Sequence, residues 1–246
     1  MLLNHRRALR LCLVLLCATV VVFVLVATRS PNGPVQDVDD AFLRLMESVR
    51  FTPLVWLSRA MAFIGGVWVN WPLRVIALGV LAMKRRWLQL AAFALAIVSS
   101  EFLIGTLKDL YERPRPPGSL IGTSGFAFPS GHAVAGAVTA VGLVVCLLPP
   151  GPRRWAWEVR AATFAALMAL SRTYLAAHWL TDVLGGALLG VTLAVGWPAL
   201  LVELRDRRTR APANRSGHRP RTARRLVRDA GGRRRAGARP RPASPG

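Results

Sequence analysis

Three short segments combine cationic, hydroxyl and histidine side chains in a chain that is otherwise strongly apolar. The segments read KDLYERPR (residues 108–115), PSGH (129–132) and SRTYLAAHWLTD (171–182). Four of their cations predict an anionic ligand, and a phosphate ester suits them because Arg offers paired N–H donors and Lys a point charge. These cations are Lys108, Arg113, Arg115 and Arg172. The chemistry that we expect at these segments is therefore the binding and transfer of a phosphoryl group.

The segment PSGH begins an apolar stretch in which a helix is expected. If Ser130 occupies the N-cap position, the backbone N–H groups of Gly131 and His132 point out of the start of that helix. Helix N-termini bind anions for this reason, and a glycine lets the backbone approach a ligand closely. Ser130 and Gly131 are therefore predicted phosphate ligands beside the four cations.

Two histidines and one carboxylate could carry out the reaction. His178 and Asp182 are four residues apart, so on a helix they share a face and can touch. A carboxylate that accepts from one ring nitrogen leaves the other with a lone pair directed outward, as a nucleophile. His132 could donate a proton to the leaving oxygen and then take one from water. The sequence has no HExxH motif and no CxxC pair, so neither a metal nor another cofactor is expected.

Each of these residues, taken alone, also has a structural explanation. Lys108 and Arg115 could extend from a helix end towards the membrane surface. Ser130 could simply cap a helix, and Arg172 could pair with Asp182. A common phosphate site explains all of them together, provided that the fold brings the three segments to the same end of the helices.

Apolar segments long enough to cross a bilayer are the elements that would position these residues. The chain is 53% hydrophobic yet carries a formal net charge of +21, a combination that is unusual for a soluble domain. A span needs roughly 20 apolar residues. Six candidates lie near Leu9–Ala27, Val67–Met83, Leu88–Leu107, His132–Leu148, Ala161–Leu175 and Leu180–Val202. The predicted fold class is all-α: an integral-membrane six-helix bundle with an interfacial helix and a disordered basic C-terminal tail.

The predicted organisation has four parts. They are residues 1–30 (N-terminal transmembrane anchor helix), 31–66 (extracytoplasmic interfacial segment), 67–204 (transmembrane core) and 205–246 (disordered Arg-rich cytoplasmic tail). The anchor is favoured over a cleaved signal peptide because its apolar stretch is long. Residues 37–50 have the pattern of an amphipathic helix at the interface. Residues 53–66 are either an interfacial or partly inserted helix, or part of a longer second span.

Basic residues in the loops predict the orientation of the bundle. The clusters HRR (5–7), KRR (84–86) and RR (153–154) fall on the same side as the tail, which the positive-inside rule assigns to the cytoplasm. Both termini are then cytoplasmic and the active site extracytoplasmic, in a multi-pass protein of the plasma membrane. The tail could contact anionic lipid headgroups or remain solvated without a partner, and no specific nucleic acid is expected.

The three segments resemble the signature motifs of the type 2 phosphatidic acid phosphatase family. Lys108, six further residues and Arg115-Pro116 resemble the first motif. Pro129-Ser130-Gly131-His132 resembles the second. Residues 171–182 resemble the third motif, with Ser171-Arg172, five residues, His178, three residues and Asp182. The resemblance covers about residues 40–202, and every signature position is kept in order and spacing.

This resemblance implies a metal-independent phosphatase of six helices that works through a phosphohistidine. It implies that His178 carries the phosphoryl group, that Asp182 is its partner and that His132 is the acid. The residues implied to hold the phosphate are Lys108, Arg115, Ser130, Gly131 and Arg172. Arg113 lies outside the strict signature and is a further candidate for phosphate contact.

The membrane spans favour a lipid or isoprenoid phosphate or diphosphate at the outer face as the substrate. By resemblance, the candidates are undecaprenyl diphosphate, phosphatidic acid and phosphatidylglycerol phosphate. Vanadium-dependent haloperoxidases are similar at the same motifs, so the motifs leave vanadate binding open. Two alternatives remain: a phosphotransferase whose phosphohistidine serves an acceptor other than water, and an anion transporter, although the sequence shows no internal repeat.

Overall fold

The computed structural model describes residues 5–210, which form eight α-helices and no strand within that range. The helices are α1 (His5–Ala27), α2 (Pro34–Ser48), α3 (Thr52–Ile64), α4 (Val67–Met83), α5 (Trp87–Tyr111), α6 (Gly131–Leu147), α7 (Pro152–Tyr174) and α8 (Leu180–Arg210). The prediction of an all-α fold is confirmed. The described residues up to Leu204 form one compact unit.

The helices differ in their capacity to cross a membrane. Within the described range, three are long and apolar enough alone, at Arg10–Ala27, Trp87–Tyr111 and Leu180–Thr209. The helices α3 and α4 qualify only as a pair, bent by 43° at their break, and α6 is apolar but has only 17 residues. The number of spans is therefore three, or four with the bent pair, by length and composition. The predicted count of six stays a prediction.

One predicted segment has a different form from the one expected, and one stays open. Residues 53–66 contain most of a separate helix, α3, which ends at Ile64 before the glycines of the α3–α4 break, so both alternatives given for this segment remain. The tail was predicted to be disordered from residue 205, but α8 continues as a helix to Arg210. That prediction is wrong for residues 205–210, because the helical hydrogen-bonding of α8 extends past its apolar part. The rest of the predicted tail lies outside the described residues.

The close approach of α8 to α6 sets the position of the polar segments. A Cβ atom at Gly190 would lie 2.6 Å from the carbonyl oxygen of Val134, and one at Gly186 would lie 2.8 Å from that of Ser130. Small residues four apart let two helix backbones approach in this way. The N-terminal turn of α8 therefore lies beside the start of α6, where the backbone N–H of Ser130 donates to the carbonyl of Asp182 at 3.1 Å.

The loop between α5 and α6 folds back over the same end of the bundle. The N–H of Ala127 donates to the carbonyl of Arg113 at 2.8 Å, and that of Leu120 donates to the carbonyl of Leu175 at 2.9 Å. Phe128 is fully buried and packs against the rings of Phe23 and Tyr111, with centroids 4.8 and 4.6 Å away. These contacts hold the loop against α1, α5 and the α7–α8 connection.

Candidate active site

The fold brings the three motif segments to one place, at the C-terminal ends of α5 and α7 and the N-terminal ends of α6 and α8. Nη1 of Arg115 lies 3.2 Å from Nε2 of His178. Lys108 and Arg115 both donate to the carbonyl oxygen of Phe126, Arg115 at 3.3 Å. His132 lies within electrostatic range of Arg172, His178 and Arg115. Residues that are up to 70 positions apart in sequence thus surround one site.

The backbone fixes the orientation of the His178 ring. Nδ1 lies 2.8 Å from the carbonyl oxygen of Ala127, and a carbonyl can only accept, so Nδ1 carries the proton. The lone pair of the neutral ring is then on Nε2, which faces the guanidinium of Arg115. The ring is buried, and burial lowers the pKa of His178 to about 4, with Asp182 opposing this shift and Arg115 adding to it. At neutral pH the ring is therefore unprotonated at Nε2 and can act as a nucleophile.

Asp182 does not make the predicted hydrogen bond to His178. Oδ2 of Asp182 is 3.6 Å from Nδ1, which is too far for a hydrogen bond, and it accepts instead from the backbone N–H of Trp179 at 2.9 Å. The carboxylate is four residues from the ring as expected, but the carbonyl of Ala127 occupies the hydrogen-bonding position. Asp182 therefore acts on His178 through its charge.

Arg113 is a partner of Asp182 and not a free phosphate contact, so that part of the sequence prediction is wrong. Its Nη1 donates to Oδ1 of Asp182 at 2.6 Å and its Nη2 to Oδ2 of Asp39 at 2.5 Å. The side chain is 1% exposed, because two carboxylates enclose the guanidinium. Nor does Arg172 pair with Asp182, since the cation that pairs with Asp182 within the described range is Arg113.

Asp39 of α2 is a buried carboxylate at the site that the sequence reading missed. It is 1% exposed and accepts from the backbone N–H of Thr181 at 2.9 Å and from its hydroxyl at 2.7 Å. The pattern of residues 37–50 predicted an amphipathic helix at the membrane interface and gave its acidic residues no role. A signal was nevertheless present, because Val35, Phe42 and Leu43 place Asp39 on the apolar face of the helix by i−4, i+3 and i+4 spacing.

Ser130 occupies the N-cap position of α6 without capping it. Its side chain makes no cap hydrogen bond and is fully buried, and its Oγ has no partner among the described residues. The same is true of Nε of Arg172. Buried polar atoms are nearly always paired, so these two atoms are available to a ligand. Gly131 follows at the first position of the helix, where an added Cβ would meet nothing closer than 3.7 Å.

His132 lies at the side of the site formed by α3 and α4. Its Cδ2 would be 3.4 Å from a Cβ at Gly65, which would also be 2.4 Å from Sδ of Met168. The α3–α4 break therefore needs a glycine to admit both side chains. His132 also borders a cavity of about 180 Å³ with Arg74 and Glu101. Within residues 5–210, no three His, Cys, Asp or Glu side chains form a group that could hold a metal ion.

Known proteins share this helical fold and its motif segments. A family model described as PAP2 superfamily matches residues 89–206, a range that contains all three motif segments. Phosphatidylglycerophosphatase B of Bacillus subtilis (strain 168) is 31% identical over 180 residues, which cover 70% of this chain and 87% of the relative. The chain therefore belongs to the PAP2 superfamily, among its membrane lipid phosphatases, and the resemblance of the motifs is confirmed.

Solved structures show the same architecture. The crystal structure of a transmembrane PAP2-type phosphatidylglycerolphosphate phosphatase from Bacillus subtilis matches with a TM-score of 0.66 at 26% identity, covering 78% of this chain and 96% of that one. LpxE of Aquifex aeolicus matches with a TM-score of 0.52 at 24% identity, covering 63% and 91% of the two chains. The second likeness supports the fold alone.

Proposed function

We propose that this protein hydrolyses the terminal phosphate monoester of a membrane lipid through a phosphohistidine on His178. The observation that carries the proposal is the arrangement of that ring, with Nδ1 bound to the Ala127 carbonyl at 2.8 Å and Nε2 3.2 Å from the Arg115 guanidinium. A neutral, oriented imidazole next to phosphate-binding groups is what nucleophilic phosphoryl transfer requires.

In the first step, Nε2 of His178 attacks phosphorus and the bond to the leaving oxygen breaks. His132 gives its proton to that oxygen, and the negative charge of the substrate favours the protonated form of His132 before attack. The ring of His178 becomes cationic when its lone pair forms the P–N bond. The charge of Asp182 stabilises this cation across 3.6 Å.

In the second step, His132 takes a proton from water and the resulting hydroxide attacks phosphorus. The P–N bond breaks, its electron pair returns to Nε2, and inorganic phosphate leaves. The oxygens of the transferred group are held by the cations, the hydroxyl and the helix start that were predicted for this role. These groups are Lys108, Arg115, Ser130, Gly131 and Arg172. Lys108, Arg115 and Arg172 supply the positive charge that a metal ion would otherwise bring to the phosphate. We therefore propose a metal-independent reaction.

Phosphatidylglycerol phosphate is the substrate that we propose among the three candidates, because both Bacillus subtilis relatives carry that activity in their names. We place the site at the outer face of the membrane, with both ends of the chain cytoplasmic. The basic clusters at residues 84–86 and 153–154 lie at the ends of α4 and α7 remote from the site, and Arg86 donates to the carbonyl of Leu147 at 2.8 Å.

Phosphate release by the purified protein tests the proposal. The panel contains phosphatidylglycerol phosphate, phosphatidic acid and undecaprenyl diphosphate in mixed micelles, with and without a chelator. We expect release from the first lipid in both conditions, and an acid-labile, alkali-stable phosphoprotein when radiolabelled substrate is quenched early. Release that ends on chelation would contradict metal independence. Transfer of label to added alcohols in preference to water would indicate a phosphotransferase.

A further inference from the structure

A cavity of about 180 Å³ opens next to His132 between α4, α5 and α6. Its polar lining comes from Asn70, Arg74, Glu101 and His132. None of the first three belongs to a signature motif or takes part in the phosphoryl transfer described above. The cavity therefore borders the residue that we propose protonates the leaving oxygen.

An ion pair lies in the wall of this cavity. Nη1 of Arg74 is 2.6 Å from Oε1 of Glu101. Glu101 is seven residues before Lys108 in α5, which places it about 10 Å deeper along the helix at a rise of 1.5 Å per residue. Ionisable side chains at such depth are costly and are expected to have a function. The question is whether this pair serves only to join the helices.

A purely structural role accounts for Arg74 but not for Glu101. Arg74 is 1% exposed and also donates to Oγ1 of Thr139 at 2.9 Å, so it joins α4 to α5 and α6. Glu101 is 40% exposed, and within the described range only Oε1 has a protein donor. Its second carboxylate oxygen is therefore able to accept a hydrogen bond from a molecule in the cavity.

Asn70 adds a second acceptor to the same wall. Its Nδ2 donates to the carbonyls of Ile64 and Gly66 at 3.4 and 3.3 Å. The amide is thus oriented by the end of α3, which leaves Oδ1 as an acceptor. Two acceptors beside the proposed general acid suit a ligand that brings hydroxyl donors.

The polar atoms of the wall discriminate between leaving groups. A deprotonated second phosphate offers no hydrogen-bond donor to the acceptors of Glu101 and Asn70, so a diphosphate would leave them unpaired. An isoprenoid or acyl chain would take polar acceptors out of water without giving them a hydrogen bond, which is unfavourable. A hydroxylated headgroup such as glycerol brings the donor that these acceptors need.

We propose that this cavity is a leaving-group subsite in which Glu101 and Asn70 accept hydrogen bonds from the hydroxyls of a polyol headgroup. The protein then selects lipid phosphates whose leaving group carries a free hydroxyl. This inference rests on the proposed function, since it assigns the cavity to the group that departs from the phosphate.

The test compares two lipids that differ in one hydroxyl. They are phosphatidylglycerol phosphate and its analogue in which the free headgroup hydroxyl is replaced by hydrogen, with identical acyl chains and charge. We expect kcat/KM of the wild-type protein to be at least about tenfold higher for the hydroxylated lipid, the effect of one hydrogen bond to a charged acceptor. The variant Glu101→Gln is expected to reduce that preference several-fold.

A double variant keeps the test informative if Glu101→Gln alone destabilises the protein. Arg74→Met with Glu101→Leu removes the whole ion pair, and such replacements are often neutral for stability. It should bring the preference to within about twofold, on the scale of a lost charged hydrogen bond. Glu158→Gln is the matched control, because Glu158 also forms an ion pair, with Nε of Arg154 at 2.7 Å, but in the first half of α7. This variant should prefer the hydroxylated lipid as strongly as the wild-type protein does.

The possible outcomes separate the two proposals. Equal kcat/KM for the two lipids in the wild-type protein overturns the subsite, as does an unchanged preference in both variants. A fall in melting temperature with the preference intact would show that the ion pair only joins the helices. Absence of phosphate release from both lipids overturns the proposed function itself.

Discussion

His178 and Asp182 lie side by side without sharing a hydrogen bond: their nearest side-chain N and O atoms are 3.6 Å apart. The carbonyl oxygen of Ala127 takes the hydrogen bond of Nδ1 at 2.8 Å. The sequence assigned the orientation of the ring to this carboxylate, and the structure assigns it to the loop. The loop backbone orients the ring, while the carboxylate supplies negative charge and is itself held by Arg113.

His178→Ala should abolish turnover, because no other group described at the site offers an oriented neutral nitrogen. We expect phosphate release to fall by at least about 10⁴-fold, the scale on which loss of a nucleophile acts. The radiolabelled phosphoprotein should disappear at the same time. Retained labelling in this variant would contradict the assignment of the nucleophile.

His132→Ala should slow substrates according to how much their leaving group needs a proton. Loss of a general acid costs roughly 10²–10⁴-fold for an alkyl ester, and the loss should be much smaller for 4-nitrophenyl phosphate. The measurement is kcat for the lipid and for the aryl ester in the same micelles. Equal losses for both substrates would argue against proton donation by His132.

Ser130→Ala should lower turnover without lowering the stability of the protein. The Oγ of Ser130 is buried without a partner, so its removal should leave the melting temperature unchanged or raise it slightly. Turnover should fall by roughly tenfold because one donor to the phosphate is lost. Ser100→Ala is the control, since Oγ of Ser100 donates to the carbonyl of Ile97 at 2.7 Å. A lowered melting temperature together with normal turnover in Ser130→Ala would contradict the ligand role.

Asp39→Asn should act on catalysis through Arg113. Removing one of the two carboxylates that hold the guanidinium should lower stability by roughly 1–3 kcal/mol, the cost of an unsatisfied buried group. With Asp182 less well held, kcat should fall while KM stays within about twofold, since Asp39 has no place among the phosphate ligands. Asp40→Asn is the control, because Asp40 is less buried and accepts from Gln36. An unchanged kcat in Asp39→Asn would limit Asp39 to a structural role.

The pH dependence should report the environment of His178. Because burial lowers the pKa of His178 to about 4 from 6.5, the nucleophile stays neutral down to that region. After correction for substrate ionisation, kcat/KM should show no loss from His178 at pH 6.5. Between pH 6.5 and 4 the unfolded chain binds a proton at this residue that the folded chain does not, so stability falls as the pH is lowered.

Thermal unfolding of the wild type and of His178→Gln across that range measures the effect. The glutamine variant lacks the titrating ring and should lose stability less steeply between pH 6.5 and 4. Parallel curves for the two proteins would contradict a lowered pKa in the folded state.

Much of the fold was predictable because it depends on local features. The apolar stretch at 67–83 predicted a helix with the bounds that α4 has, and the PSGH segment predicted the start of α6. The motif residues lie at the C-terminal ends of α5 and α7 and at the N-terminal ends of α6 and α8, which share one side of the bundle because successive helices run in opposite directions. Their gathering therefore followed from the order of the helices, as the contacts of Arg115 and His178 confirm.

The contacts that hold the site together depend on the three-dimensional path of the chain. Spacing along α8 predicted that Asp182 would be near His178, but the hydrogen bond went to Ala127, which is 51 residues away in sequence. Arg113 resembled a free cation until the fold brought Asp39 and Asp182 to its two sides. The periodicity of apolar residues shows which face of a helix is apolar, but it does not show which other element packs against that face.

By itself, the sequence determined the helical class, the family and the identity of the chemical groups, because apolar stretches and motif spacing are properties of short segments. Only the tertiary structure decided the hydrogen-bond partners: which oxygen orients His178, which cation holds Asp182 and which acceptors border the cavity of His132. Most hydrogen bonds in proteins span about 2.7–3.2 Å. Such distances are reached only after distant segments have packed, so the spacing of residues along the chain cannot specify them.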